Sequence, residues 1–438
     1  MKKLTNIFLY LTLITVISCD NFVEIEPDGS NADNYFNSEE EYLDALIGAY
    51  DLLQGTFWNT LTALVASDDY AAGGDPFNYD QPTLQNINLM IHTPDDENQL
   101  RDIWGLMYAG INRANYVLEN KDKTDFAGKD GIIAEAYFLR AYFAFELVKF
   151  FGDIPLVIDE RLGVQQIQQL ERTPASEVYA QIEKDLNDAI AILSYKSEST
   201  HSGIKGRVDK GAALGLLGKV YLYQENWTAA SQTLNTLISS GNYSLASDYN
   251  TIFLKENENN SETVFDVEYS DQEGGSYGCL ICLEGNLTVG YQGIRQYDGE
   301  QYGDGNSYNL PTQNLYDFFE YQDPRREATC LNIDQFIADN SPGTTYGVGA
   351  GGHTGFYNNK YIILIIMESD SEILTGGDDN NTEILTSIED SKKFYKEYDN
   401  KKNTISNILN KYEHIPAHPL YDLLKSLRSG HHGVKNKK

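Results

Sequence analysis

The sequence predicts a mainly α-helical protein built on tetratricopeptide-like helix pairs, with long irregular loops and a few short strands. Three observations carry that prediction. Apolar residues recur at the 3.6-residue period through most of the first half of the chain. The stretch "LGKVYLYQENWTAASQTL" has the small and large residues of a helix–turn–helix repeat at the right offsets. The remaining segments are rich in Gly, Tyr and Asn and show little of the period-2 alternation that marks a sheet.

The helices follow in order. Ser38 and Glu41 stand at capping-box spacing, and Tyr42, Leu43, Leu46, Ile47, Tyr50 and Leu53 then fall on one face. A second helix carries Leu100, Ile103, Trp104, Met107, Tyr108 and Ile111. A third, "GIIAEAYFLRAYFAFELVKFFGD", is apolar on nearly every side, the mark of a helix surrounded by others. Thr173-Pro174 reads as a polar cap followed by proline in the first turn, ahead of Val178, Ile182, Leu186, Ala189 and Leu193. In the repeat, Gly218 precedes Tyr221 by three, Ala230 follows nine later and Leu234 four beyond that. Small residues at those offsets let two antiparallel helices approach. Gly241 reads as the C′ residue that ends the pair, and "ETVFDVEY" beyond it reads as a strand. Trp104 and Trp227 occupy helix registers and are expected in the core; Trp58 is left open.

Composition narrows the function. A chain of 438 residues with net charge −32 repels polyanions at long range, which argues against nucleic acid and disfavours strongly anionic substrates. The 31 tyrosines are unusual: each offers a flat apolar face with a hydroxyl at its rim, suited to polar ligands that have apolar faces.

The N-terminus indicates export. Lys2 and Lys3 precede an apolar stretch, Ile7 to Ile17, too short to span a bilayer, and the segment ends in Val16-Ile17-Ser18-Cys19. This resembles a bacterial lipoprotein signal, with residues 1–18 removed and Cys19 lipidated. An ordinary secretory signal cleaved nearby is the alternative.

In the order in which they occur, "CDNFVEIEPDG", "EEYLDALIGAYDLL", "WGLMYAGINRANYVLEN", "AEAYFLRAYFAFELVKFFGDIPLV", "RTPASEVYAQIEKDLNDAIAIL", the Gly206–Leu245 stretch that contains the repeat, "PTQNLYDFFEYQDPRRE" and "TGFYNNKY" resemble the RagB/SusD family of surface lipoproteins of the Bacteroidota. The likeness runs over residues 19–361. It implies a SusD-like α-body with a shallow face formed by long loops, lipid-anchored in the outer membrane and exposed at the cell surface. It further implies capture of a glycan or other nutrient for a SusC-like, TonB-dependent transporter, with no cofactor.

After Tyr361 the family pattern stops. Residues 362–438 open with the apolar run Ile362–Met367 and hold 11 of the 33 Lys+Arg but only 12 of the 65 Asp+Glu, so the tail is near neutral against a strongly acidic body. The expectation is that this tail replaces the family's C-terminal helices, through a frameshift or recombination; a divergent, functional ending is the alternative.

Sugars are recognised by aromatic faces against C–H surfaces, with amides and carboxylates for the hydroxyls. The candidates are therefore loop residues: Asp68, Asp69, Tyr70, Phe77 and Tyr79 in one loop, and Tyr277, Tyr291, Arg295, Tyr297, Tyr302 and Tyr308 in another. The competing reading is that each tyrosine pins its own loop. Cys279-Leu-Ile-Cys282 supplies one close pair where a zinc site with Cys330 and His353 needs four converging ligands, and a local disulfide or inert thiols fit better outside the cytoplasm. Gly347–Gly352 matches a dinucleotide fingerprint by letter, yet a loop follows it where a helix is required. Asp68-Asp69 and Asp95-Asp96-Glu97 read as solvated acids, with calcium a minority option; adjacency does not supply the two separated carboxyls of a glycosidase. No metal site and no catalytic grouping is expected among these residues. A glycan-binding module is the leading reading. A tetratricopeptide-type envelope scaffold and, less strongly, a surface glycan hydrolase stand behind it.

Overall fold

The computed structural model describes residues 35–75, 80–93, 98–158, 161, 166, 169–196, 206–254, 257–269, 287–347 and 353–360. The signal segment, Cys19 and the tail from 361 onward lie outside them.

The described chain is mainly helical, with two short two-stranded ribbons. α1 (Glu39–Tyr50) begins at the anticipated cap: the Ser38 hydroxyl accepts from the Glu41 N–H at 3.3 Å, and the Glu41 carboxylate accepts from the Asn37 N–H at 2.5 Å. A 3-10 turn (Asp51–Thr56) leads into α2 (Phe57–Val65), then β1 (Tyr70–Gly73) and α3 (Pro82–Asn88). The long helices α4 (Asn98–Leu118), α5 (Lys129–Phe151) and α6 (Ala175–Ile192) follow, and α7 (Lys210–Tyr223) and α8 (Trp227–Ser239) complete the body.

α5 is the centre. Of its 23 residues, 15 are buried, on every side of the helix, and it packs against α1, α4, α6 and α7. Such a helix cannot face water and so recruits neighbours all round. Its buried charged residues are tied to those neighbours. The Arg140 guanidinium forks onto Asp185 of α6 at 2.7 and 2.8 Å, and also donates to Asn115 of α4 at 3.0 Å and to the Ile158 carbonyl. Glu135 accepts from Arg207 and from the Tyr50 hydroxyl, and Glu146 accepts from Asn59 of α2 at 2.7 Å.

α7 and α8 form the predicted helix pair. Asp209 and Asn226 cap them through the Ala212 and Ala229 N–H groups. Gly218 sits under Leu234: a Cβ there would lie 2.5 Å from the leucine side chain, so any larger residue would push Leu234 aside. Gly241 has φ +69° and ends the pair as expected.

Three local expectations need correction. Pro174, not Thr173, holds the N-cap position of α6; Thr173 is taken up in a bridge with Ile154, and the Asp153 carboxylate accepts from the Ala175 N–H at 2.8 Å. "ETVFDVEY" (Glu262–Tyr269) forms no strand: Phe265 and Val267 pack on the helical core and the Tyr269 hydroxyl donates to the Gln54 carbonyl, so side chains rather than a ladder hold it. Trp227 is 50% exposed at the start of α8, its helical register facing water, whereas Trp104 packs against the core.

The later residues build a smaller layer beside the body. It comprises a 3-10 turn (Tyr249–Phe253), α9 (Leu287–Gln292), β2 (Tyr308–Pro311), α10 (Gln313–Phe318), α11 (Pro324–Thr329), β3 (Cys330–Asn332), α12 (Ile333–Asn340) and β4 (Phe356–Asn358). β1 pairs antiparallel with β2, Ala71 opposite Leu310, and β3 pairs antiparallel with β4, Leu331 opposite Tyr357. Ile294, Tyr297, Tyr302, Leu310, Ile333 and Tyr357 give this layer its own small core.

Two outcomes test this packing. Arg140→Leu leaves Asp185 as an uncompensated buried carboxylate and is expected to destabilise the fold by about 3–5 kcal/mol in urea unfolding, with the double change Arg140→Leu/Asp185→Leu recovering part of it. His353 lies between Tyr346 and Tyr357, its Nδ1 accepts from the Gly355 N–H at 2.9 Å, and burial lowers its pKa from the ordinary 6.5. Its contribution to stability is therefore complete above pH 6.5 and is lost as the pH falls below that value. Thermal melts from pH 7.5 to 5 should show a decline in Tm that His353→Gln reduces.

Candidate functional site

Two loops that are distant in sequence converge on the β1–β2 ribbon. Gly73 makes this possible: at φ +68° it turns the chain away from the strand, and a Cβ there would lie 2.1 Å from the Ser307 carbonyl. The next N–H, that of Gly74, donates to that carbonyl at 2.8 Å. The ribbon, about 10 Å long at the usual rise of a strand, carries a polar cluster at each end.

At the Gly73 end stands Asp80. Its carboxylate accepts from Arg295 at 2.7 Å, from the Tyr308 hydroxyl at 3.1 Å and from the Asp75 N–H at 2.9 Å. Arg295 also donates to the Asn306 carbonyl, and the Arg295 and Asp80 side chains retain 21% and 26% of their exposure. The pair is thus fixed in direction yet open to solvent. Burial, reinforced by the Asp80 carboxylate, pushes the Tyr308 phenol up to about 12, so it stays a donor at neutral pH.

At the other end Asp68 and Asp69 are exposed, and their carbonyls accept from the Thr312 hydroxyl at 3.1 Å and N–H at 2.9 Å. Thr312 caps α10, its hydroxyl accepting from the Leu315 N–H at 3.2 Å. α10 runs about 9 Å from there at the normal helical rise. It ends in Phe318, 85% exposed, with Tyr321, 87% exposed, just beyond.

The candidates therefore separate into two groups. Asp68, Asp69 and Arg295 reach solvent. Tyr70, Tyr291, Tyr297, Tyr302 and Tyr308 do not present ring faces: all are at most 8% exposed. Tyr291 is wedged between Trp58, 5.1 Å away between ring centroids, and Tyr308 at 5.5 Å, which also settles Trp58 as a buried residue. Tyr297 packs on Tyr302, and Tyr302 on Phe336 at 5.0 Å. These rings do the work of loop packing, Tyr297 and Tyr302 within the small core they share with Ile294, Leu310 and Ile333.

Phe77, Tyr79, Tyr277, Cys19, Cys279, Cys282, Asp95, Asp96, Glu97 and all but the first residue of Gly347–Gly352 lie outside the described residues. Cys330 is buried as a free thiol, and burial pushes its pKa up to about 12. Among the described residues, no group of His, Cys, Asp and Glu side chains is placed to hold a metal ion.

Sequence reasoning missed Asp80, Phe318 and Tyr321. The last two had a signal in "DFFEYQDP": aromatic residues set between acids, immediately before a helix start, have no apolar periodicity to draw them inward.

Asp80 joins both loops, so Asp80→Ala should cost about 2 kcal/mol of stability. Hydrogen exchange should quicken at the N–H groups of Gly74 and Asp75 while those of α5 hold their protection.

Against known proteins, the family model described as SusD-like, starch-binding associating with outer membrane, matches residues 21–222. SusD-like protein P25 of Formosa agariphila is 28% identical over 291 residues, covering 63% of this chain and 54% of that protein. SusD-like protein P2 of the same organism is 27% identical, covering 74% of this chain and 64% of its own length. The chain thus spans little more than half to two-thirds of these relatives. Among solved structures, a laminarin binding SusD-like protein superposes with TM-score 0.67 at 31% identity, over 75% of this chain and 73% of its own. Surface glycan-binding protein A from Bacteroides thetaiotaomicron, in complex with laminarihexaose, shares the fold at TM-score 0.65 and 23% identity, over 74% and 71% of the two chains. From the ordered helices, the helix pair and the loop layer through to these similarities, one conclusion follows: the chain belongs to the SusD-like family.

Proposed function

We propose that this protein is a surface glycan-binding protein that captures a neutral β-glucan and passes it, unhydrolysed, to a TonB-dependent outer-membrane transporter, with Cys19 as its lipid anchor. The observation that carries the reading is the similarity, at 31% identity over about three-quarters of both chains, to a protein described as laminarin binding. The loop face adds chemistry that suits it. Asp68, Asp69, Asp80 and Arg295 supply acceptors and a fixed donor for sugar hydroxyls, and Phe318 and Tyr321 supply exposed faces for the C–H surfaces of the ring. In this reading Tyr70, Tyr291, Tyr297, Tyr302 and Tyr308 brace the loops that carry those groups, and Phe77, Tyr79 and Tyr277, outside the described residues, are further candidates for ligand contact. The net charge of −32 favours a neutral polymer over a sulfated or uronic one.

The expected result in isothermal titration calorimetry is saturable binding of laminarin oligosaccharides, no binding of alginate and no release of reducing ends. Arg295→Ala and the double change Phe318→Ala/Tyr321→Ala should each weaken binding about tenfold. Turnover of the oligosaccharide, or affinity untouched by both variants, would overturn the assignment.

A further inference from the structure

A groove of about 550 Å³ opens on the helical body, lined by no residue of the β1–β2 ribbon. One wall is the face of α1 that carries Leu43 and Ile47, a helical turn apart, and Ile47 stays 54% exposed. The other is Phe265–Tyr269, the stretch with the residues of a strand and no strand beside it. Neither turn nor bend interrupts it, and among the described residues none of its backbone N–H and C=O groups is paired. Its side chains alternate: Phe265 and Val267 pack toward the helical core, whereas Asp266 and Glu268 are exposed.

Unpaired N–H and C=O groups beside an apolar floor are what an added strand pairs with. At the usual rise of a strand, Phe265–Tyr269 offers an edge about 16 Å long. Charge then selects the partner's side chains. The groove lining holds three carboxylates, Asp51, Asp266 and Glu268, against one cation, Arg207, which forks onto Glu135. Asp51 is taken by Arg113 and Gln54. Asp266 has no partner among the described residues, only one oxygen of Glu268 accepts, from Asn259, and the buried Gln54 Oε1 has no donor. The side-chain groups left open are thus acceptors, on a chain of net charge −32. A strand laid beside Phe265–Tyr269 puts alternate residues next to Asp266 and Glu268, where lysine or arginine finds a counter-charge. The residues between them fall on the apolar side, with Phe265, Val267 and the α1 face.

We infer that Phe265–Tyr269, with α1 behind it, is a docking site for an extended segment of another polypeptide in which apolar residues alternate with lysine or arginine. The segment pairs as an added strand on an edge that the chain itself leaves open. This assignment is independent of which ligand the loop face takes.

The test is hydrogen exchange of the full chain, read by mass spectrometry, in the presence of capped synthetic octapeptides. One alternates valine with lysine, a second valine with glutamate, a third serine with lysine. The expected result is slowed exchange confined to the fragment containing Phe265–Tyr269, with the valine–lysine peptide alone. No slowing there, equal slowing by either of the other peptides, or slowing spread over the acidic surface would overturn the proposal. In calorimetry, Asp266→Lys and Ile47→Asp, both at exposed positions, should each weaken binding of the valine–lysine peptide about tenfold. An affinity that neither change moves would refute it as well. Were either variant to lose its helical circular dichroism, the exchange pattern of the unaltered chain decides alone.

Discussion

The architecture rests on one constraint: α5 is apolar on all sides and must be enclosed. A helix with a single apolar stripe needs one neighbour, whereas α5 needs several, and α1, α4, α6 and α7 supply them. Enclosing it also buries Glu135, Arg140 and Glu146, which are tied to Arg207, Asp185 and Asn59 on neighbouring elements. Apolar burial drives the assembly, and these ties select one arrangement of it, since a shifted helix would strand a charge without a partner. The loops lie around this enclosure, and Tyr291, Tyr308, Phe265 and Val267 reach back from them onto its core.

This explains what could be read from the sequence. Helices with a periodic stripe, a capping residue and a terminal glycine announce themselves, and α1, α5 and the α7–α8 pair lie where the residue pattern puts them. The errors fall where a tertiary partner outbids a local signal. Thr173 has the chemistry of a cap but is claimed by Ile154; Pro174 holds the cap position, and Asp153, far back in the sequence, accepts from the Ala175 N–H. "ETVFDVEY" has the residues of a strand but no strand beside it to pair with.

The loop face was legible in outline and obscure in detail. The segments around Asp69 and Arg295 were each picked out as candidate loops; that Asp80 joins them depends on a contact across the fold. Tyrosine presents the harder problem, because the same flat ring suits a sugar and a neighbouring ring equally well. Tyr291, Tyr297, Tyr302 and Tyr308 found rings, while Phe318 and Tyr321, flanked by acids on a short helix and its exit, stayed outside. The acids around Phe318 and Tyr321 were a local sign of their exposure, whereas the rings that cover the other tyrosines come from contacts across the fold.

The ribbon has a consequence for how the molecule comes into being. Asp80 and Tyr308, which meet at one of its ends, are separated by 228 positions along the chain. Contacts of that range repay the ordering of the chain only after nearer ones have shortened the path between their partners. The folding chain is therefore expected to complete its helical stack before the two distant loops are stitched together, so the loop face matures last. Any stress that loosens the stitch would disorder the loop face while most of the stack stands intact.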